Sequence, residues 1–355
     1  MLEEQEAPDK AFKWIGPVRF LMVLKTGLII FLSTVMLFGF SVSSSSWASC
    51  GASQCPVDMT KGECPRKGSV SLGYQFEYVE QDQHRVGTGS ASFREIQGHH
   101  DEEFTVNRGH RFNTSMGLTD RFSMDLQVPV ISRSHAHVHQ HEGEDILEAW
   151  DIHGIGDLLL RFRYVFWKPV SPRRPDLSIL LGGEFPTGKQ DRKNPEGDEA
   201  ESGVQPGSHS YDLIIGLASL QRFNVPMLQG QQGVLPLHCN LIAQFNGHGK
   251  DGYRLGDTLQ LNVGISYPLF LKLGLVTQLN FLLRDKDDKG NTGEEIQKTG
   301  GEYLYFSPGL EIQTGDNWKM FAMIQLPVHQ RVNSIQTTSN YNVLMGITYR
   351  FQKGA

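Results

Sequence analysis

Four histidines alternate with other residues in His135-Ala-His-Val-His-Gln-His141. On an extended chain, alternate side chains share a face, and a row of imidazoles is a good donor set for Zn, Cu or Ni. Glu142, Glu144 and Asp145 follow the row, and His99, His100 and Asp101 lie in an earlier polar stretch that could join it across a mouth. One expectation is therefore a divalent-metal site at His135, His137, His139 and His141. Another is a pH-sensitive gate, because imidazole titrates near pH ~6.5. The third is a solvated polar loop, since no fixed-geometry motif such as His-Glu-x-x-His accompanies the row.

A second set of candidates is charged. Arg121, Asp125, Asp157, Arg161, Arg163 and Glu184 fall out of phase with the apolar residues of their segments. On neighbouring strands they put acids and bases on one inward wall, where field and pore size together select small polar or anionic solutes. The alternative is that they pair with one another and fill the interior. Two other patterns lead to no chemistry. Pro186-Thr-Gly-Lys189 lacks the longer glycine-rich run and following helix of a phosphate loop. His209 and Ser210 are adjacent, so on a strand they point to opposite faces and cannot form a nucleophile and its base. No enzyme is expected.

The elements that must position these residues are strands. About twelve alternating segments follow residue 69, each near the ten residues that a tilted strand needs to cross a membrane. They are 70–79, 103–116, 121–131, 156–167, 176–185, 210–222, 234–245, 258–267, 271–283, 302–313, 318–328 and 340–351. In 271–283, for example, Leu271, Leu273, Leu275, Leu279, Phe281 and Leu283 share a face opposite Lys272, Gln278 and Asn280. Short links at 117–120, 268–270 and 314–317 alternate with long polar ones at 80–102, 132–155, 186–209, 246–257, 284–301 and 329–339. Short periplasmic turns and long external loops are the rhythm of outer-membrane barrels. With the first loop external, both termini are periplasmic and the strand number is even. Strands of a soluble sandwich are shorter and carry no such rhythm. The last segment ends on Gly346-Ile-Thr-Tyr-Arg-Phe351, whose Gly-x-x-Tyr-x-Phe spacing resembles the signal read by the barrel-assembly machinery.

Composition agrees. The 355 residues are 39% hydrophobic, and 38 glycines with 10 tyrosines and 20 phenylalanines suit strands and tight turns. A mean hydropathy of −0.32 is too polar for a helical membrane protein. It fits a barrel, in which only alternate residues meet lipid. The net charge of −6, with no basic block, speaks against a nucleic-acid partner.

Residues 1–48 read as a signal peptide, with Lys25 before the apolar run 28–42 and a small-residue cleavage site at Ala48. Met22 is an alternative start. A Cys-containing leader, 49–68, precedes the barrel, 69–355. Cys239 is in phase with Leu237 and Leu241, facing lipid, which leaves Cys50, Cys55 and Cys64. A Cys55–Cys64 disulfide with a lipidated Cys50, a disulfide to Cys50, and free thiols all remain open.

Several stretches resemble one family. They are Gly117-Leu-Thr-Asp-Arg-Phe-Ser-Met-Asp-Leu-Gln-Val-Pro129, Gly154-Ile-Gly-Asp-Leu-Leu-Leu-Arg-Phe-Arg-Tyr164, Leu181-Gly-Gly-Glu-Phe-Pro-Thr-Gly-Lys189 and Gly207-Ser-His-Ser-Tyr-Asp-Leu213. Their order is similar to that of the outer-membrane proteins named for a meta-pathway of phenol degradation. The resemblance runs from about residue 70 to the end. It implies passive passage of a small solute, hydrophobic or aromatic, across a bacterial outer membrane without a catalytic cofactor. The rival expectation is a non-conducting surface barrel that binds metal or a partner through its His-rich external loops.

Overall fold

The computed structural model describes residues 64–351 except 98–99, 142–143, 170–173, 293 and 295. The expected signal peptide, Met22, Cys50, Cys55 and His99 lie outside the described residues, as does the side chain of His141. Among the described residues, Cys64 and Cys239 form no disulfide.

Sixteen strands are β1 (Val70–Gln81), β2 (Gln83–Val86), β3 (Gly89–Ser90), β4 (His100–Gly117), β5 (Phe122–His141), β6 (Glu144–Ile155), β7 (Leu158–Trp167), β8 (Asp176–Phe185), β9 (Asp212–Pro226), β10 (Gln232–Phe245), β11 (Thr258–Pro268), β12 (Leu273–Arg284), β13 (Gly301–Thr314), β14 (Trp318–Val332), β15 (Ile335–Thr338) and β16 (Asn342–Phe351). Twelve of them, all but β2, β3, β6 and β15, close into one antiparallel barrel. The seam is β1 on β16, in register from Val70 opposite Phe351 to Val79 opposite Asn342. Closure removes both sheet edges, so every wall strand has two partners. The expected all-β transmembrane barrel of about twelve strands is the observed one.

The alternation sets the two faces. On β9, Leu213, Ile215 and Leu217 are exposed outward, while Asp212, Ile214, Gly216 and Ala218 are buried inward. Aromatic residues stand at both ends of the outward apolar band. At the short-turn end Trp318 packs on Tyr349 and Tyr349 on Phe351, each at 4.7 Å. At the long-loop end Phe185 meets Tyr211 edge-on at 6.1 Å.

Two expectations need correction. Residues 132–155 are not a loop. β5 continues to His141 and returns as β6 in an unbroken hairpin from Val130 opposite Ile155 to His141 opposite Glu144. Ser132 and Ser134, opposite His153 and Asp151, break its outward apolar series after Val130. From Val130 onward β5 pairs with β6 and not with β7, so the hairpin projects beyond β7 at the long-loop end. The wall segment expected at 156–167 begins only at Leu158, because the partner of β5 changes from β6 to β7 across Gly156 and Asp157.

Glycine at the seam is required by space. A Cβ on Gly346 would lie 2.5 Å from the Phe321 ring and 2.8 Å from the Tyr74 carbonyl. Gly346→Val should therefore destabilise the barrel by about 1–3 kcal/mol through overpacking. The check is a lower midpoint for loss of heat-modifiable gel mobility in denaturant.

Candidate functional site

The inward wall over β10–β13 is a ladder of neutral polar side chains. Asn280 donates to Asn262 at 2.7 Å and to Gln278 at 3.1 Å, and Ser307 donates to Asn280 at 2.6 Å. His238 lies over Gly264, where a Cβ would come within 2.5 Å of its ring. Asn342 extends the polar wall by donating to Gln325 at 2.7 Å. One apolar patch interrupts it, made of Val276, Met323 and Leu344 with Phe321 beside them. A lumenal ion pair, Glu77 with Arg111 at 2.5 Å, sits on β1 and β4. This wall is not marked by charge in the sequence, because its members are neutral amides and hydroxyls. The usable signal was the run of polar residues in the inward phase, such as Gln278 and Asn280 on β12 and His238 and Asn240 on β10.

The six expected lumen charges divide. Asp125 stands opposite Arg161 between β5 and β7, with Ser115 donating to it at 2.5 Å. Arg163 is buried opposite Ser123. Glu184 stands opposite Asp212, and Gln244 donates to both, at 2.9 Å and 3.3 Å. Arg121 does not line the wall. It is exposed in the turn before β5, since the strand starts at Phe122.

Asp157 is a clamp rather than a wall charge. Its carboxylate accepts the Gly188 amide at 2.8 Å, and the Ser208 amide and hydroxyl at 2.6 Å and 2.7 Å. Thr187 bridges the same break, donating to the Gly156 carbonyl and accepting the Leu158 amide, both at 3.0 Å. Gly188 and Gly207 touch so closely that a Cβ on either would come within 2.7 Å of the other's backbone. The segments 154–157, 186–189 and 207–210, far apart in sequence, therefore meet at one point. They tie down both ends of the long loop 186–211.

The histidine row lies at the long-loop end. A β-bulge between Glu102 and Phe104 shifts the pairing of β4, setting His100 opposite His139, Glu102 opposite His137 and Thr105 opposite His135. On the other side Glu148 stands opposite His137 and Trp150 opposite His135. Trp150 packs on both imidazoles, at 5.8 Å and 4.8 Å, in a cluster with Ile152, Ala200 and Val204 that seats the long loop on β6. That seating delivers Glu201 to His100, with Oε1 2.5 Å from Nδ1. His137 Nε2 is 3.1 Å from Glu148 Oε2, and His139 Nδ1 is 3.3 Å from Glu148 Oε1.

The row is thus not a solvated loop: the side chains of His135 and His137 are only 1% and 3% exposed. Burial pushes the His135 imidazole down to about 4 and lowers that of His137. Two triads have donor atoms within 4.8 Å of one another, His100–His137–Glu201 and His137–His139–Glu148. His135 belongs to neither. Its Nδ1 is 2.8 Å from the Thr105 hydroxyl, which donates to Glu102.

With this geometry established, the chain can be set beside known proteins. No curated protein matches the sequence. The fold is similar to the crystal structure of the COG4313 outer membrane channel from Pseudomonas putida F1, with a TM-score of 0.55 and 13% identity over 83% of this chain and 100% of that chain. It is also similar to the transport unit of the autotransporter AIDA-I from Escherichia coli (TM-score 0.44, 8% identity, 83% and 93% covered). A third likeness is to the toluene transporter TodX of P. putida (TM-score 0.42, 10% identity, 83% and 92% covered). Residues 137–351, more than half of the chain, match the family model described as "Putative MetA-pathway of phenol degradation", and the chain belongs to that family.

Proposed function

We propose that the protein is a passive channel for a small solute across the bacterial outer membrane. The observation that carries this reading is the closed barrel whose inward face carries, over β10–β13, a ladder of amides and hydroxyls beside the apolar patch of Val276, Met323 and Leu344. Such a wall offers weak, replaceable hydrogen bonds beside a surface for a ring, which suits a small aromatic solute bearing a polar group. The family's association with phenol degradation supports the same class of cargo, and the likeness to the COG4313 outer membrane channel supports a channel.

In this reading the short turns and both barrel termini face the periplasm, and the long loops face outward. The outward aromatic residues meet lipid, and the strand ending on Tyr349 and Phe351 is the part offered to the barrel-assembly machinery. No covalent step belongs to this function. Ser210 donates to Asp212 at 2.7 Å and its oxygen lies 2.9 Å from the Ser208 hydroxyl, so it is engaged in holding the loop.

Planar-bilayer recording of the purified barrel tests the proposal. Discrete conductance steps are expected, with solute-dependent liposome swelling. Arg161→Ala with Arg163→Ala should change step size and reduce anion preference, since two cationic side chains leave the inward face near the short-turn end. A folded barrel that stays silent and swells with no solute would overturn the channel reading.

A further inference from the structure

We propose that the mouth of the barrel binds a divalent transition-metal ion of the Zn2+ class through His137, shared between His100 with Glu201 on one side and His139 with Glu148 on the other. Nothing in the channel reading requires this site, and it stands whether or not the lumen conducts.

Three observations converge on it. The first is the donor set: three imidazoles and two carboxylates brought together from β4, β5, β6 and the loop 186–211. Nitrogen and oxygen donors of this kind suit Zn2+, with Cu2+ and Ni2+ as competitors. The second is an orphaned atom. Among the described residues, Nδ1 of the buried His137 has no hydrogen-bond partner. Leaving a buried polar atom unsatisfied costs about 1–3 kcal/mol, and a ligand at the cluster is one way to recover it. The third is an entry path. His137 is enclosed, but His100, His139, Glu148 and Glu201 are 15–28% exposed, so an ion reaches the cluster from its outer edge.

The supports around the cluster resemble those of a built site, in which outer partners orient the ligands. Lys298 donates to the His100 carbonyl at 2.7 Å and to Asp101 at 2.6 Å, fixing the first residue of β4. Ser202 donates through its hydroxyl to Glu294 at 2.6 Å, holding the residue next to Glu201. Trp150 packs on the His137 ring at 4.8 Å, tilted by 51°, and donates to the Asp198 carbonyl at 3.0 Å. Three outer segments therefore meet at one cluster, and an ion there would pin the loop 186–211 over the long-loop end.

The test is equilibrium dialysis of the full-length, detergent-solubilised barrel against Zn2+ alone after chelator treatment, with metal counted by mass spectrometry. At least one ion per barrel is expected in the wild type. His137→Ala, which disables both triads, should weaken retention by more than the ~10–100-fold typical of losing an outer partner. Exposed His248, which belongs to neither triad, serves as control, and His248→Ala should bind as wild type. In case His137→Ala fails to assemble, histidine modification by diethyl pyrocarbonate is mapped on the wild type with and without Zn2+. Protection of His100, His137 and His139 supports the site. Absence of stoichiometric Zn2+, equal retention in a folded His137→Ala barrel, or no protection would overturn it.

Discussion

Asp157→Ala is expected to release the long loop 186–211 and expose it to trypsin. The carboxylate accepts two backbone amides and a hydroxyl, all buried or half-buried. Hydrogen bonds to a charged group contribute about 1.5–3 kcal/mol each, and the orphaned amides add a desolvation penalty. Losing three of them lowers the cost of opening the loop by about 3 kcal/mol or more, a hundredfold or larger rise in the open fraction. Lys189, Arg192 and Lys193 lie just beyond the clamp and offer trypsin its sites. Cleavage there should accelerate by about that factor when opening is fast relative to cutting. Asp125→Ala, at the short-turn end, should leave the rate unchanged. Equal nicking of Asp157→Ala and wild type would show that the loop is held by other contacts. In the channel reading, the released loop should also make conductance steps noisier.

Glu77→Gln is expected to shift ion selectivity toward anions. Glu77 is buried, and Arg111 faces it with its guanidinium partly open to the lumen. Removing the carboxylate's charge leaves a fixed cation on the inward wall at nearly constant volume. A unit charge at about 4 Å in water-like surroundings is worth about 1 kcal/mol, roughly a fivefold change in permeability ratio. The effect should be largest near 0.1 M salt, where screening extends about 10 Å, and fade near 1 M, where it extends about 3 Å. Reversal potentials across a KCl gradient measure this directly. Glu77→Gln with Arg111→Gln should return selectivity toward the wild-type value, because the net wall charge is again unchanged. A reversal potential identical in Glu77→Gln and wild type would place this pair outside the conducting path.

The barrel was legible in the sequence because its physics is local. Lipid on one side and a polar interior on the other impose a period of two on every strand. Runs such as 258–267 and 271–283 carry that period openly, and the twelve expected segments coincide with the twelve wall strands to within a few residues at most ends. The alternation of short and long links followed from the same reading. Segment 132–155 was harder. Beyond Val130 the outward face mixes Ser132, Ser134, Asp151 and His153 with Ala136, Val138 and Leu147, so β5 and β6 lose the contrast that marks a strand, and a long hairpin reads as a loop.

The sites depended on contacts that no local pattern records. Sequence alone determined that His135, His137 and His139 share a face, since alternation suffices for that. It determined equally that Asn280, Gln278 and Asn262 oppose the lipid. Only the tertiary structure decided which imidazoles meet. The extra residue at Glu103 reverses the facing of His100 and Glu102, so strict alternation would have put them on the wrong side of β4. Glu148 and Glu201 join through cross-strand register and loop seating, at separations of 11 and 101 residues from His137 and His100. Asp157 likewise looked like a lumen charge until the fold brought the Gly188 and Ser208 amides to it. Alternation is written residue by residue along the chain, but a bulge, a register and a folded loop are fixed only when distant segments pack together.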